Sequence, residues 1–134
     1  MKKKCILFLA IALGLVGFLM AAVADSFKPF PAPLAGKKIA VFLDDQYQID
    51  EAFYTPLRLR EAGADVKIVS HGSPFVTREV HRMYTDMTPA EAVKIKWDGF
   101  VVIGGFSPLE LREDKNVIDI VKDVYYRKGL TSAI

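Results

Sequence analysis

Asp44, Asp45 and Glu51 place three carboxylates within eight residues, directly after the apolar run 38–43. Neighbouring aspartates are the residue type that holds a divalent cation such as magnesium. Glu51 opens a stretch of helical composition, where the N-terminal dipole stabilises a carboxylate. On local sequence alone, a helix-capping acid is the favoured reading of that glutamate. A second group is Gly104-Gly105, which ends the apolar run 101–103. Glycines let the backbone approach a ligand closely and aim N–H groups into a cleft, and such donors form oxyanion holes. The plainer alternative is a tight strand-to-helix connection. His71 and His81 lie in a polar, turn-rich stretch without a cysteine or a helical His-x-x-x-His partner, so they read as two isolated surface histidines and no metal site is expected.

These groups need elements to position them. Residues 38–43 form a short apolar run rich in β-formers, the pattern of a buried strand. Residues 50–62 read as a helix with Ala52, Leu57 and Leu59 among its apolar positions. Gly63 stands where a glycine ends a helix, and Pro56 should cost that helix a hydrogen bond and bend it. Residues 65–70 are a second strand. Residues 71–88 read as a small hairpin or an irregular excursion. Thr88-Pro89-Ala90-Glu91 has the form of an N-cap, a first-turn proline and a capping-box acid, starting a short helix to about residue 96. Residues 97–105 are a third main strand with its glycine turn. Residues 108–127 should be the longest helix, with Leu111, Val117, Ile118, Val121 and Val124 on its apolar side. Residues 130–134 begin a fourth strand.

The alternation of strand and helix predicts an α/β fold of flavodoxin-like, Rossmann-type order: a parallel sheet with right-handed crossovers and helices on both faces. In such sheets functional groups collect beyond the carboxyl ends of the strands. Asp44, Asp45, Glu51, Gly104 and Gly105 should therefore meet at one edge, next to Ile134. The paired aspartates would suit a phosphoacceptor receiver domain. That arrangement also needs an aspartate after the third main strand, where this chain has Gly104-Gly105, so the receiver reading is set aside.

The first 24 residues have the three-part pattern of a secretory signal. Lys2-Lys3-Lys4 is a basic start, 5–20 is an unbroken run of apolar residues and glycine, and Ala22-Val23-Ala24 offers a peptidase site before Asp25. An uncleaved anchor is the alternative, but sixteen apolar residues are short for a span of about 20. Residues 25–36, with Pro29, Pro31 and Pro33, read as a spacer, and 37–134 as the folded portion. The whole chain carries a formal charge of +2. Residues 1–24 hold three lysines and no acids, so 15 basic and 16 acidic residues remain beyond them, a net charge of −1. No basic stripe is left for nucleic acid, and contact with a membrane is expected only through the leader. The single cysteine, Cys5, falls in the leader and precedes its apolar run. Residues 25–134 therefore hold no disulfide and no thiol nucleophile.

Three segments taken together are more specific. Asp45-Gln46-Tyr47 with Glu51, then Arg58-Leu59-Arg60-Glu61-Ala62-Gly63-Ala64-Asp65-Val66, then Asp98-Gly99-Phe100-Val101-Val102-Ile103-Gly104-Gly105 resemble the DJ-1/PfpI family of the class I glutamine-amidotransferase-like superfamily. Leu111-Arg112-Glu113-Asp114 and Thr131-Ser132-Ala133-Ile134 fit the same pattern, so the resemblance spans residues 37–134. It implies a cysteine-dependent hydrolase, glyoxalase or amidase-like enzyme acting on a small carbonyl or amide substrate, without a cofactor. Glu51 falls on the family glutamate that hydrogen-bonds and tunes the reactive cysteine. Gly105, supported by the turn at Gly104, falls on the backbone oxyanion donor. The family's last strand runs into a Cys-His-Gly elbow, so the resemblance implies a chain ending one residue before its nucleophile and inactive as it stands. Gln48 and Ile49 replace a common Glu-Asp, Pro56 lies one residue after the usual proline, and Ile103 replaces a proline before the glycines. The rival expectation is a non-catalytic binding or assembly module using the same cleft. Homo-oligomerisation is left open, and export to the periplasm or medium is the expected destination.

Overall fold

A computed structural model describes residues 31–134; the leader and the first half of the proline-rich stretch lie outside that range. The central sheet has four parallel strands in the order β2–β1–β5–β6. These are β1 (Lys38–Phe42), β2 (Asp65–Val69), β5 (Gly99–Val102) and β6 (Leu130–Ala133). A separate antiparallel hairpin, β3 (Phe75–Arg78) and β4 (His81–Tyr84), occupies the excursion between β2 and α2 (Pro89–Ala92). The parallel α/β order expected from the sequence is therefore present.

Strand β1 is buried on both faces, being apolar at every position after Lys38. Side chains alternate across a strand, and β1 feeds two cores accordingly. Ile39, Val41 and Leu43 join Val66, Ile68, Val101 and Ile103 under α1 (Ile49–Glu61). Ala40 and Phe42 join Trp97, Phe100, Leu111, Val117, Ile120 and Val124 on the opposite side. Such a strand, buried on both faces, reads as a continuous apolar run.

Several local expectations need correction. The helix expected over 108–127 is two helices, α3 (Ser107–Leu111) and α4 (Lys115–Tyr126). Asp114 caps α4, accepting from the Asn116 N–H at 2.6 Å. In one continuous helix Leu111 would align with Ile118, seven residues on. The break shifts the buried stripe to Val117, Ile120 and Val124, leaving Ile118 half-buried. On α1, Ala52 is buried as expected but Leu57 is exposed, beside exposed Phe53 and Tyr54. The α1 backbone runs helically through Pro56, itself buried. Gly63 ends the helix at φ +91°. The Gly63 and Ala64 N–H groups return to the carbonyls of Arg60 and Leu59 at 2.9 and 3.1 Å, a Schellman ending. The helix after Thr88 stops at Ala92, where the Trp97 indole N–H takes the Ala92 carbonyl at 2.9 Å. The end of the spacer is part of the fold: the Leu34 N–H donates to Ala62 O at 2.9 Å, and its side chain packs on the first core.

Candidate functional site

The loop after β1 starts the site. Tyr47 is buried and forms an antiparallel bridge with Gly105, flanked by Gln48 N–H to Gly104 O at 3.0 Å and Phe106 N–H to Gln46 O at 3.1 Å. Arg78 of β3 donates to the carbonyls of Gln46 and Tyr47 at 3.1 and 3.0 Å. The β1–α1 loop is thus held on one side by the hairpin and on the other by the glycine turn after β5.

Glu51 projects from the first turn of α1, yet its carboxylate does not cap its own helix. Glu51 Oε2 accepts from the Gly104 N–H at 2.9 Å, across 53 residues of sequence. A Cβ at Gly104 would lie 2.6 Å from Ile134 O and 2.9 Å from Glu51 Oε2. The capping role favoured by local sequence gives way to a bridge between α1 and the end of β5. Glu51, Gly104 and the carbonyl of Ile134 are brought together at the carboxyl edge of the sheet.

Gly105 has φ +85°, and a Cβ there would lie 2.5 Å from Gln46 O and 2.8 Å from Gln48 N. Both conformation and space demand glycine. The Tyr47–Gly105 bridge is of the type in which facing residues exchange no hydrogen bonds. Among the described residues, the Gly105 N–H has no backbone acceptor. A free N–H beside a carboxylate and the end of a strand can stabilise negative charge developing on an oxygen.

The two aspartates diverge. Asp45 turns to the hairpin and accepts from the Thr77 N–H at 2.6 Å and the Thr77 hydroxyl at 3.3 Å. Asp44 turns inward and is only 6% exposed. It accepts from Ser70 Oγ at 3.0 Å and from the His71 N–H at 3.4 Å, and its Oδ2 lies 2.5 Å from His71 Nδ1. His71 Nε2 lies 2.8 Å from Asp114 Oδ2. His71 is therefore not an isolated surface histidine. Burial pushes its pKa down, but bonds and charge from Asp114 and Asp44 outweigh this and hold it above the ordinary 6.5. Asp114 also resists ionisation through burial, but the His71 ring and the Asn116 and Val117 amides hold its carboxyl below the usual range. These groups line an open cleft of about 690 Å³ with Asp45, Gln46, Phe106, Leu109, Glu110 and Glu113. No trio of His, Cys, Asp or Glu suited to a metal ion occurs among the described residues. His81 is separate, packing edge-on against Phe53 at 6.3 Å.

A parallel α/β sheet with a glycine turn and an acid gathered at its carboxyl edge defines a flavodoxin-like domain. The model of the DJ-1/PfpI family matches residues 37–134, and the chain belongs to that family. Solved relatives agree. A DJ-1 superfamily protein of Salmonella typhimurium, crystallised with a cysteine replaced by alanine, aligns at TM-score 0.66 with 27% identity, over 72% of this chain and 54% of its own. The oxidized DJ-1 of Toxoplasma gondii aligns at TM-score 0.67 with 20% identity, over 73% of this chain and 55% of its own, a likeness of fold. An uncharacterized protein of Archaeoglobus fulgidus is 32% identical over 88 residues, 64% of this chain and 52% of that protein. The chain spans about half the length of these relatives.

Proposed function

We propose that this chain supplies the glutamate and the oxyanion donor of a cysteine-dependent site, in an exported protein acting on a small carbonyl or amide substrate. The observation that carries the reading is the Glu51 carboxylate on the Gly104 N–H at 2.9 Å, beside the Ile134 carbonyl. A thiolate presented just past Ile134 attacks the substrate carbonyl carbon. Glu51 sets the ionisation of that thiol, and the Gly105 N–H donates to the carbonyl oxygen as it gains charge. Residues 25–134 contain no cysteine, so in this reading the chain alone has no attacking atom. The relative at 27% identity was solved with a cysteine replaced by alanine, which fits a thiol as the attacking group.

Three proteins test the mechanism: the chain itself, the chain extended by a family-type continuation beginning Cys-His-Gly, and the extended chain with Glu51→Ala. The extended chain should turn over a small dicarbonyl or amide, and Glu51→Ala should lower that activity more than it lowers folding stability. Equal turnover by the chain with and without the continuation overturns the mechanism. Export has its own test. Sequencing the mature N-terminus should find Asp25, and an intact Met1 in the cytoplasm refutes it. A binding or assembly module is the second reading, favoured by the full exposure of β6. The DNA after the Ile134 codon separates the two, since a Cys-His-Gly coding run there supports the enzyme and its absence the module.

A further inference from the structure

The Asp44–His71–Asp114 chain lies outside the proposed thiol site and joins two walls of the acidic cleft. Asp44 follows β1, His71 follows β2, and Asp114 caps α4. Both His71 ring nitrogens face carboxylate oxygens, at 2.5 Å to Asp44 and 2.8 Å to Asp114. Carboxylates only accept, and a neutral imidazole has one N–H. With both acids ionised, the double contact requires the imidazolium. We propose that a single proton on His71 latches this cleft: the charged ring ties Asp44 to Asp114, and loss of the proton releases the wall formed by residues 109–114.

The side of the break follows from the anchoring of each acid. Asp44 is buried and also receives Ser70 Oγ and the backbone N–H of His71. Asp114 stands at a helix end, with its other oxygen occupied by the Asn116 N–H. The neutral ring keeps its proton on Nδ1, towards Asp44. Its Nε2 lone pair then faces the Asp114 carboxylate, two acceptors in repulsion. Asp45 beside Asp44, and Glu110 and Glu113 beside Asp114, add negative charge from both walls, and no lysine or arginine lines the cleft. Lys115 pairs instead with Asp119, one turn along α4. Glu113 pairs with Arg112 at 3.1 Å, so deprotonation leaves Asp44, Asp45, Glu110 and Asp114 lining the cleft without the His71 cation, and the wall carrying Leu109, Glu110 and Glu113 separates from His71.

The test is a pH titration of the whole chain, with the His71 ring nitrogens followed by NMR and amide protection followed through residues 109–116. His71 should show two protonated ring nitrogens at low pH and titrate above 6.5. Across that midpoint, protection at 109–114, corrected for intrinsic exchange, should fall roughly tenfold, the scale of one lost charge-assisted bond. Asp114→Asn should lower the midpoint, and His71→Gln should make the protection independent of pH over the same range. A midpoint at or below 6.5, a neutral single tautomer throughout, or protection at 109–114 unchanged across the titration overturns the latch.

Discussion

Glu51 and Asp44 both follow β1 and both reach across the carboxyl edge of the sheet, but they are held in different ways. Glu51 rests on a backbone N–H, that of Gly104. Asp44 holds a side chain, the His71 ring, which in turn holds Asp114. The Gly104 N–H keeps its proton at any pH a folded protein meets, so the Glu51 contact has a fixed donor. The His71 Nε2–H that reaches Asp114 exists only while the ring is charged. One edge of the sheet thus carries a rigid carboxylate suited to tuning a neighbour and, beside it, a carboxylate pair whose connection depends on a proton. Burial does not follow this division, since Asp44 is buried while Glu51 and Gly104 are half-buried.

The largest effect should come from the rigid side. Gly105→Ala puts a methyl 2.5 Å from Gln46 O in a backbone at φ +85°. Left-handed strain and backbone overlap together should cost about 2–4 kcal/mol. Gly36→Ala is the control, at φ +74° with nothing within 4 Å of the added methyl, and should cost only about 1 kcal/mol. Denaturant unfolding of both variants checks the difference. Equal losses would mean that the packing of the β1–α1 loop against Gly105 contributes nothing.

Next in size is the contact itself. Glu51→Ala leaves the half-buried Gly104 N–H without its acceptor and should destabilise by about 1–3 kcal/mol. Glu51→Gln keeps an acceptor oxygen in the same place and should recover most of that loss. If the two variants unfold alike, the bond at 2.9 Å is not what holds α1 to the end of β5.

The titratable side responds to pH instead. The folded His71 pKa is raised, so its stabilisation is complete below the ordinary value of 6.5 and is lost as pH rises through the folded value. The folded Asp114 pKa is lowered, so its share is present above its ordinary 3.8 and is lost as pH falls through the depressed value. The latch is therefore strongest on the mildly acidic side of neutrality. The stability difference between the chain and His71→Gln should shrink as pH rises above that window. Solvent screening of the exposed ring keeps the effect smaller than the preceding ones. A difference that grows with pH would reverse the sign of the argument.

How far each side can be read from sequence follows from the same physics. Glu51, Gly104 and Gly105 carry local signals, an acid at a helix start and a glycine pair after an apolar run, and the family pattern spans them. The strands were legible because β1 and β5 are apolar runs and β2 alternates charged Asp65 and Lys67 with apolar Val66 and Ile68. His71 gave no such signal, because its partners lie 27 and 43 residues away. One clue was available in the strand order. Phe42 pairs with Val69 in the β1–β2 register, and continuing that register two residues places Asp44 beside His71. The break between α3 and α4 was hidden because Leu111 and Ile118 share a helical face in the sequence, while the Asp114 cap that stops the pattern also serves His71. Leu57 looked like a core position because it is apolar, yet it shares with Phe53 and Tyr54 an outer face of α1 that is exposed in this chain.

The smallest expected change tests the boundary between the two regions. Tyr47 is the residue over which the Gly105 turn folds, and its ring is part of the first core. Its hydroxyl is buried without a hydrogen-bond partner among the described residues. Burial, reinforced by the charge of Asp45, pushes its pKa above the usual 10.0, so the group is a neutral phenol at every pH considered above. A buried hydroxyl without a partner costs desolvation and returns nothing. Tyr47→Phe removes the oxygen and keeps the ring, so it should leave the fold intact and raise stability by up to about 1 kcal/mol. The gain should be the same at pH 5 and pH 8, because the phenol does not titrate between them. A loss of stability would show that the hydroxyl has a partner, and a pH-dependent change would show that the Gly105 turn and the His71 latch are coupled through this loop.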